Sequence, residues 1–513
     1  MKFFKLLFSK TLVVFLLLVV QFTLILVTNF VFEVYPWFQL ISVFLALLMF
    51  FYIVNKKECP EFKLPWLVLL FSLPLFAIPF YIIFANPRMP KRAFKRLKTI
   101  EDETGKYTAK AAGGDLKSAE SGAEKFGYRS DVAEYLENTA AFGAHTHNRV
   151  TYYKLGEDFY KDLLIELEKA EKYIFMEYFI VHPGKMWDGI HEILLKKVKC
   201  GVEVRLMYDD IGTVGKIPSG YYKELRKEGI DCYKFNTFRP VMSGVHNNRD
   251  HRKITVIDGK VGFTGGINLG DEYINEVKPF GQWKDTAIKI EGSAVDNLLA
   301  LFLQLFDMNA KKNTADYSAY FVAEHEKYDE KGSILPFGDG PKPFYKEQIG
   351  ENNYINLINA AKRYCYITTP YLIPDFNLTT ALRNAAFRGV DVKIITPHIP
   401  DKKTIFAMTR SNYSYLLKAG VKIYEYTPGF IHAKMLVADD DLAFVGTINL
   451  DYRSLVHHYE CGAVMFETPC IKDIKADFEQ TLSVSQEKTL ENFKMNKIAS
   501  ATNAIMNLFS PML

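Results

Sequence analysis

Paired cysteines are missing. The six cysteines (Cys59, Cys200, Cys232, Cys365, Cys461, Cys470) are scattered along 513 residues with no CxxC spacing. That excludes a zinc ribbon and a disulfide framework, and points to reduced thiols. Net charge is scarce as well: 63 basic against 59 acidic side chains leave +4. So small an excess on so long a chain argues against nucleic acid as a partner. No clustered carboxylates call for a metal, so neither a metal ion nor a cofactor is expected. His145-Thr-His147 lacks partner ligands and reads as a surface loop. Asp209-Asp210, following a strand, suggests an Mg²⁺ pair, with a structural role the favoured reading.

Charge of either sign is nearly absent from residues 1–85. Three apolar runs lie there, at 11–31, 37–54 and 66–84, each close to the roughly 20 residues a helix needs to span hydrocarbon. The first exceeds a signal-peptide core and lacks a small-x-small cleavage site, so it reads as an uncleaved span. Pro74 and Pro79 predict a kinked or partly re-entrant third helix. Three full crossings would set Lys2, Lys5, Lys10, Lys56, Lys57 and Lys63 against Arg88, Lys91, Arg92, Lys95, Arg96 and Lys98, a tie under the positive-inside rule. With one run not crossing fully, the remainder of the chain falls on the cytoplasmic side, and this is the expected arrangement. The second basic cluster would then rest against anionic headgroups. Residues 1–98 are thus expected to form a multi-pass cell-membrane region with two or three transmembrane helices.

Beyond a polar connector at 99–125, strand-like and helix-like stretches alternate. "KYIFMEYFIV" at 172–181 reads as a buried strand, and "GIHEILLKKVKCGVEVRLMY" as a helix leading into a second strand. The order recurs in "RYCYITTPYLI" and "LTTALRNAAFRGVDVKIITP", where Gly389-Val-Asp-Val-Lys answers Gly201-Val-Glu-Val-Arg. The expected division is a first lobe at 99–315, a linker at 316–344 and a second lobe at 345–513 with a C-terminal helix. The ending "KIASATNAIMNLFSPML" has helical spacing suited to core packing, with contact at a bilayer surface as the rival reading.

A duplicated motif carries the chemistry. "HRKITVIDG" and "HAKMLVADD" each place a Lys two residues and an Asp seven residues after a His. On a strand, His251 and Lys253 share a face, as do His432 and Lys434. Asp258 and Asp439 fall at hairpin bends and read as anchors. The return strands end in Gly266-Ile-Asn268 and Gly446-Thr-Ile-Asn449. An imidazole, an ammonium and an amide from each half suit in-line substitution at phosphorus. One His attacks while the other protonates the leaving alkoxide, and around neutral pH one ring is expected neutral and its neighbour protonated. A single His-x-Lys means little; two copies with matched followers inside a duplication mark a site.

At these residues the sequence resembles the phospholipase D superfamily, whose H-x-K-x4-D signature with a following Asn occurs twice. More narrowly it looks like the bacterial cardiolipin synthases, through "FRPVMSGVHNNRDHRKITVIDGKVGFTGGINLGDEYI", "WKDTAIKIEGSAV", "TPYLIPD", "AGVKIYEYTPGFIHAK", "VGTINLDYRSL" and the terminal "LFSPML". The resemblance implies an α/β fold: two tandem phospholipase D-like α/β/α sandwich lobes with pseudo-twofold symmetry, preceded by N-terminal transmembrane helices. It implies that His251 is the nucleophile and His432 the general acid and base. Lys253, Lys434, Asn268 and Asn449 would bind phosphate, and Asp285 and Glu460 would orient the imidazoles across the interface. Asp258 and Asp439 complete the signatures. Asp250 stands where the family often has Asn, and His457-His458 where it has an apolar residue and Asn.

The implied activity is phosphatidyl transfer between two phosphatidylglycerol molecules through a phosphatidyl-histidine, giving cardiolipin and glycerol. Phosphatidylethanolamine as donor, hydrolysis to phosphatidic acid, cleavage of nucleic acid and a non-catalytic scaffold are the rivals.

Overall fold

The computed structural model describes residues 36–85, 91–111, 129–237, 247–311, 314–493 and 497–512, with Thr23 and Val27 as isolated helical positions. The chain divides into two compact units. One holds residues 1–87, 242–244 and 508–513, and the other holds 88–241 and 245–507.

In the first unit, the apolar run at 11–31 lies outside the described residues apart from those two positions. The second run forms the helix Pro36–Asn55. The third does not form the expected single kinked helix. It folds as two helices, Pro60–Ser72 and Pro74–Phe84, broken at Leu73 with φ −148° and ψ 68°. Pro74 is the cause, because a proline ring disfavours helical geometry at the residue before it and suits the first turn of a new helix. Ile53, Trp66, Leu70, Ala77 and Tyr81 form a small core among these helices. Among the described residues no helix is long and apolar enough to cross a membrane.

The second unit contains the duplication. The first lobe is a seven-stranded sheet in the order Arg149–Tyr153, Ala287–Glu291, Val261–Gly265, Lys253–Ile257, Tyr173–Tyr178, Glu203–Asp209, Asp231–Phe235. The second lobe repeats this as Ser333–Asp339, Glu460–Phe466, Leu442–Gly446, Met435–Ala438, Tyr364–Thr368, Asp391–Pro397, Lys422–Tyr426. His145–Thr146 and Ser485–Lys488 extend its two edges. In each lobe a central strand pairs parallel to the next through a crossover helix, Lys185–Lys199 or Phe376–Phe387. Tyr173–Tyr178 and Tyr364–Thr368 are buried at every position, as expected of strands covered on both faces. The two expected α/β lobes are therefore present.

Residues 333–339, inside the segment expected as linker, are a strand paired along its whole length with Glu460–Phe466. Pro336 is tolerated because its other edge meets only the two-residue strand His145–Thr146, which pairs no further than Ile334. One core joins the lobes: Ile254, Val256 and Ile288 of the first sheet cluster with Leu335, Phe444 and Val445 of the second. The helix Val295–Ala310 runs through that core, buried on nearly all sides. The expected C-terminal helix is Lys497–Phe509.

Candidate active site

The two strands of the motif begin later than the sequence suggests. They are Lys253–Ile257 and Met435–Ala438, so His251 and His432 precede them rather than sharing a strand with their lysines. Each His lies in an extended stretch bound to the opposite lobe. His251 N donates to Tyr459 O at 2.9 Å, and Tyr459 N to Arg249 O at 2.8 Å. In the mirror arrangement His432 N donates to Lys284 O at 2.7 Å, and Gly429–Ile431 pairs parallel with Gln282–Lys284. Tertiary pairing thus holds these backbones, which a local strand pattern cannot reveal. The lysines fold back: Lys253 Nζ donates to His251 O at 2.5 Å, and Lys434 Nζ to His432 O.

The acids cross the interface. His251 Nδ1 lies 2.9 Å from both oxygens of Glu460, which belongs to the second lobe. His432 Nδ1 lies 2.6 Å from Oδ2 of Asp285, which belongs to the first. Both carboxylates are fully buried, whereas His251 and His432 keep 6% and 7% of their surface, so a ring edge remains reachable. Burial pushes His251 down to about 3 and His432 to about 4; the nearby carboxylates oppose this, and the lysine ammoniums reinforce it. These shifts favour the neutral form of both rings. Burial likewise lowers Lys253 to about 8 and Lys434 to about 7. Against their own desolvation, His432 holds Asp285 and His251 holds Glu460 below the usual carboxylate range. A neutral ring donating Nδ1–H to an ionised acid presents the Nε2 lone pair outward.

The remaining motif residues are supports with capacity to spare. Asp258 Oδ atoms accept from the backbone N–H groups of Glu171, Lys172 and Tyr173, each at 2.8 Å. Asp439 does the same for Lys362, Arg363 and Tyr364, and also receives Arg129 Nη2 at 2.9 Å. Each Asp ties the start of the neighbouring central strand to its bend, where φ is 53° at Asp258 and 56° at Asp439. Asn268 accepts from Ile180 N and donates to Tyr273 Oη at 2.8 Å. Asn449 donates to Ser454 Oγ at 3.0 Å. An amide nitrogen carries two donors, so each retains one.

Several contributors escape the motif. Asp209 ends the strand Glu203–Asp209, pairs with the buried Arg249 and accepts from Asp250 N at 3.1 Å, bracing the segment that carries His251. His145, expected on a surface loop, is instead buried in the edge strand His145–Thr146, with Ser293 Oγ at 3.0 Å and Asn297 Oδ1 at 3.1 Å. The halves also differ. A Cβ on Gly266 would lie 2.1 Å from Asp285 Oδ1; its counterpart Thr447 instead donates its hydroxyl to Glu460 Oε2. Trp283 packs on His432 with centroids 5.4 Å apart at 45°, and His458 packs on His251 at 5.5 Å and 46°. Each of these rings stands two residues before its acid, a correspondence visible in the duplication once the acids are aligned.

Known proteins match this architecture. A family model described as "Cardiolipin synthase, PLD-like domain" matches residues 163–287 and 354–482, one segment in each lobe. A Streptococcus mutans protein described as uncharacterized is 41% identical over 463 residues, covering 90% of this chain and 99% of its own. A Geobacillus cardiolipin synthase is 35% identical over 465 residues, 90% of each chain. Cardiolipin synthase 2 of Bacillus cereus is 34% identical, covering 89% and 88%. Among solved structures, the phosphatidylserine synthase of Haemophilus influenzae aligns with a TM-score of 0.56 at 14% identity, over 75% of this chain and 97% of its own, and shares the fold. The crossed pairs of imidazole and carboxylate, set in duplicated lobes and matched along nearly the full length of these relatives, place this chain in the cardiolipin synthase family.

Proposed function

We propose that this protein is a phosphatidyltransferase that makes cardiolipin from two molecules of phosphatidylglycerol. The observation that carries the reading is the crossed pair: two buried imidazoles, each with Nδ1 within hydrogen-bond distance of an acid of the other lobe. His251 Nε2 attacks phosphorus, forming the P–N bond as the P–O bond to glycerol breaks. His432, protonated as the anionic phosphodiester enters, gives its proton to the leaving oxygen. Asp285 stabilises that imidazolium. Glycerol departs, His432 takes the proton of a hydroxyl on the second phosphatidylglycerol, and that oxygen displaces His251. Lys253, Lys434 and the spare amide N–H groups of Asn268 and Asn449 hold the non-bridging oxygens and offset their charge. Asp258 and Asp439 keep both strands in register. No step calls on a metal or cofactor.

The test is incubation of purified protein with phosphatidylglycerol vesicles. Cardiolipin and glycerol form in equal amounts, and His251→Ala abolishes both. Failure of the wild type to release glycerol, or full activity in the variant, refutes the assignment.

The N-terminal region is proposed to embed the enzyme in the cell membrane as a multi-pass anchor, with the lobes on the cytoplasmic side. Leu40, Phe44 and Phe71 expose 73%, 61% and 66% of their surface, an apolar face suited to hydrocarbon rather than water. Cys200 is exposed, so a membrane-impermeant thiol reagent labels it only after cells are opened. Labelling in intact cells refutes the orientation.

A further inference from the structure

The pseudo-twofold leaves open which of two alike imidazoles attacks. The structure answers through an inequality between their acids. Asp285 receives His432 Nδ1 and its neighbour's backbone, Thr286 N, at 2.9 Å. Glu460 receives His251 Nδ1 and the Thr447 hydroxyl, and Nδ1 of His458 stands 3.6 Å from its Oε1. His458 is 8% exposed, and both its ring nitrogens are buried without a hydrogen-bond partner. An unpaired buried N–H is costly, and closing the gap by about half an ångström makes it a hydrogen bond to Glu460. The counterpart ring, Trp283, packs on His432 at the same distance and angle, so stacking alone does not call for imidazole at 458. Because neither His458 nitrogen reaches the surface, a direct contact with substrate is not its role. The charged groups facing His458 are Glu460 on the adjoining strand, His251 from the first lobe, and Asp451 upstream. His251, His458 and Glu460 also bring metal-ligating atoms within 4.8 Å of one another. The Lys253 ammonium, which already disfavours positive charge on His251, opposes a dication there.

We propose that His458 is a positioning residue that donates to Glu460 beside His251 and Thr447, dividing the carboxylate's charge so that His251 stays a neutral nucleophile and proton transfer is left to His432. The inference rests on the phosphatidyl-transfer reading. A carboxylate shared among more donors supports an imidazolium less, and one with fewer supports it more. Before attack the nucleophile needs the first setting, which keeps a proton off its Nε2, and the general acid needs the second.

Two variants of the full-length enzyme separate this role from packing. His458→Phe keeps a ring on His251 but loses the donor; His458→Asn keeps a donor but loses the ring. His458→Phe is expected to raise the acid limb of kcat/KM by about one pH unit, a shift a merely structural ring would not cause. His458→Asn restores the limb. An unmoved limb in His458→Phe or an equal shift in both variants overturns the proposal. Cardiolipin formation by the wild type, measured alongside, tests the transfer reading separately: its absence condemns that reading, whereas a wrong order of variants in an active enzyme condemns only the role of His458.

Discussion

Replacing Glu460 by Gln probes the crossed geometry most directly. The side chain is fully buried and holds His251 Nδ1 at 2.9 Å through both oxygens. Glutamine keeps the shape and one acceptor but removes the charge. Its amide also presents N–H groups toward Nδ1, favouring the tautomer whose proton sits on the attacking nitrogen. The lost charge-assisted hydrogen bond is worth about 1.5–3 kcal/mol. The phosphatidyl-imidazolium that forms on His251 would have drawn up to about 4 kcal/mol from an anion so close, at an effective dielectric of about 20. A loss of about 2–4 kcal/mol slows formation of the intermediate about 30- to 1,000-fold. Asp285→Asn falls by a similar factor for another reason, since it weakens the acid that protonates the leaving oxygen. The two are told apart with a lipid whose leaving group needs no proton, such as a phosphatidyl p-nitrophenyl ester. Burst kinetics with this substrate recover in Asp285→Asn and not in Glu460→Gln. Recovery of both, recovery in the opposite variant, or a Glu460→Gln kcat within about threefold of wild type refutes the assignment of nucleophile and acid.

The depressed lysines govern the alkaline side of the free enzyme. Their charged forms are lost as pH rises through about 7 for Lys434 and about 8 for Lys253, so kcat/KM declines there. Its acid limb falls below the ordinary imidazole value of about 6.5, because burial lowers His251 to about 3 and His432 to about 4; an acid limb at or above that value contradicts this. Asp258→Ala strips the acceptor from three backbone N–H groups and is expected to cost about 2–4 kcal/mol in urea unfolding, with kcat of the folded enzyme within threefold. Undiminished stability denies the strand-tying role. Gly266→Ala drives a methyl group into Asp285 Oδ1, shifting the acid off His432 and lowering kcat at least tenfold by the loss of a charged hydrogen bond. Wild-type cardiolipin synthesis in that variant rules the crowding out.

Much of the fold was legible in the chain because its signals are local. Tyr173–Tyr178 and Tyr364–Thr368 read as buried strands from runs rich in aromatic and apolar residues, Glu177 being the charged exception, and the repeated Gly-Val-acid-Val after each crossover helix announced the duplication. Ser333–Asp339 was hidden by its Pro and Gly, whose cost disappears only beside a strand too short to need the missing N–H. The third apolar run concealed its break, since Pro74 acts on the geometry of Leu73 rather than on hydropathy. Within the site, residue types and spacing marked both histidines, both lysines and both aspartates, and resemblance supplied the acids.

The sequence by itself determined that two copies of a His-Lys-Asp set exist, because that set is written in spacings of two and seven residues. Tertiary structure alone decided how they are wired. His251 meets an acid 209 residues away and His432 one 147 residues away, each supplied by the opposite lobe. The inequality between Thr447 with His458 on one side and Gly266 with Trp283 on the other likewise acquires meaning only once the lobes close. Hydrogen bonding and desolvation depend on distances of a few ångströms in space, and those are set by packing, which no local pattern encodes.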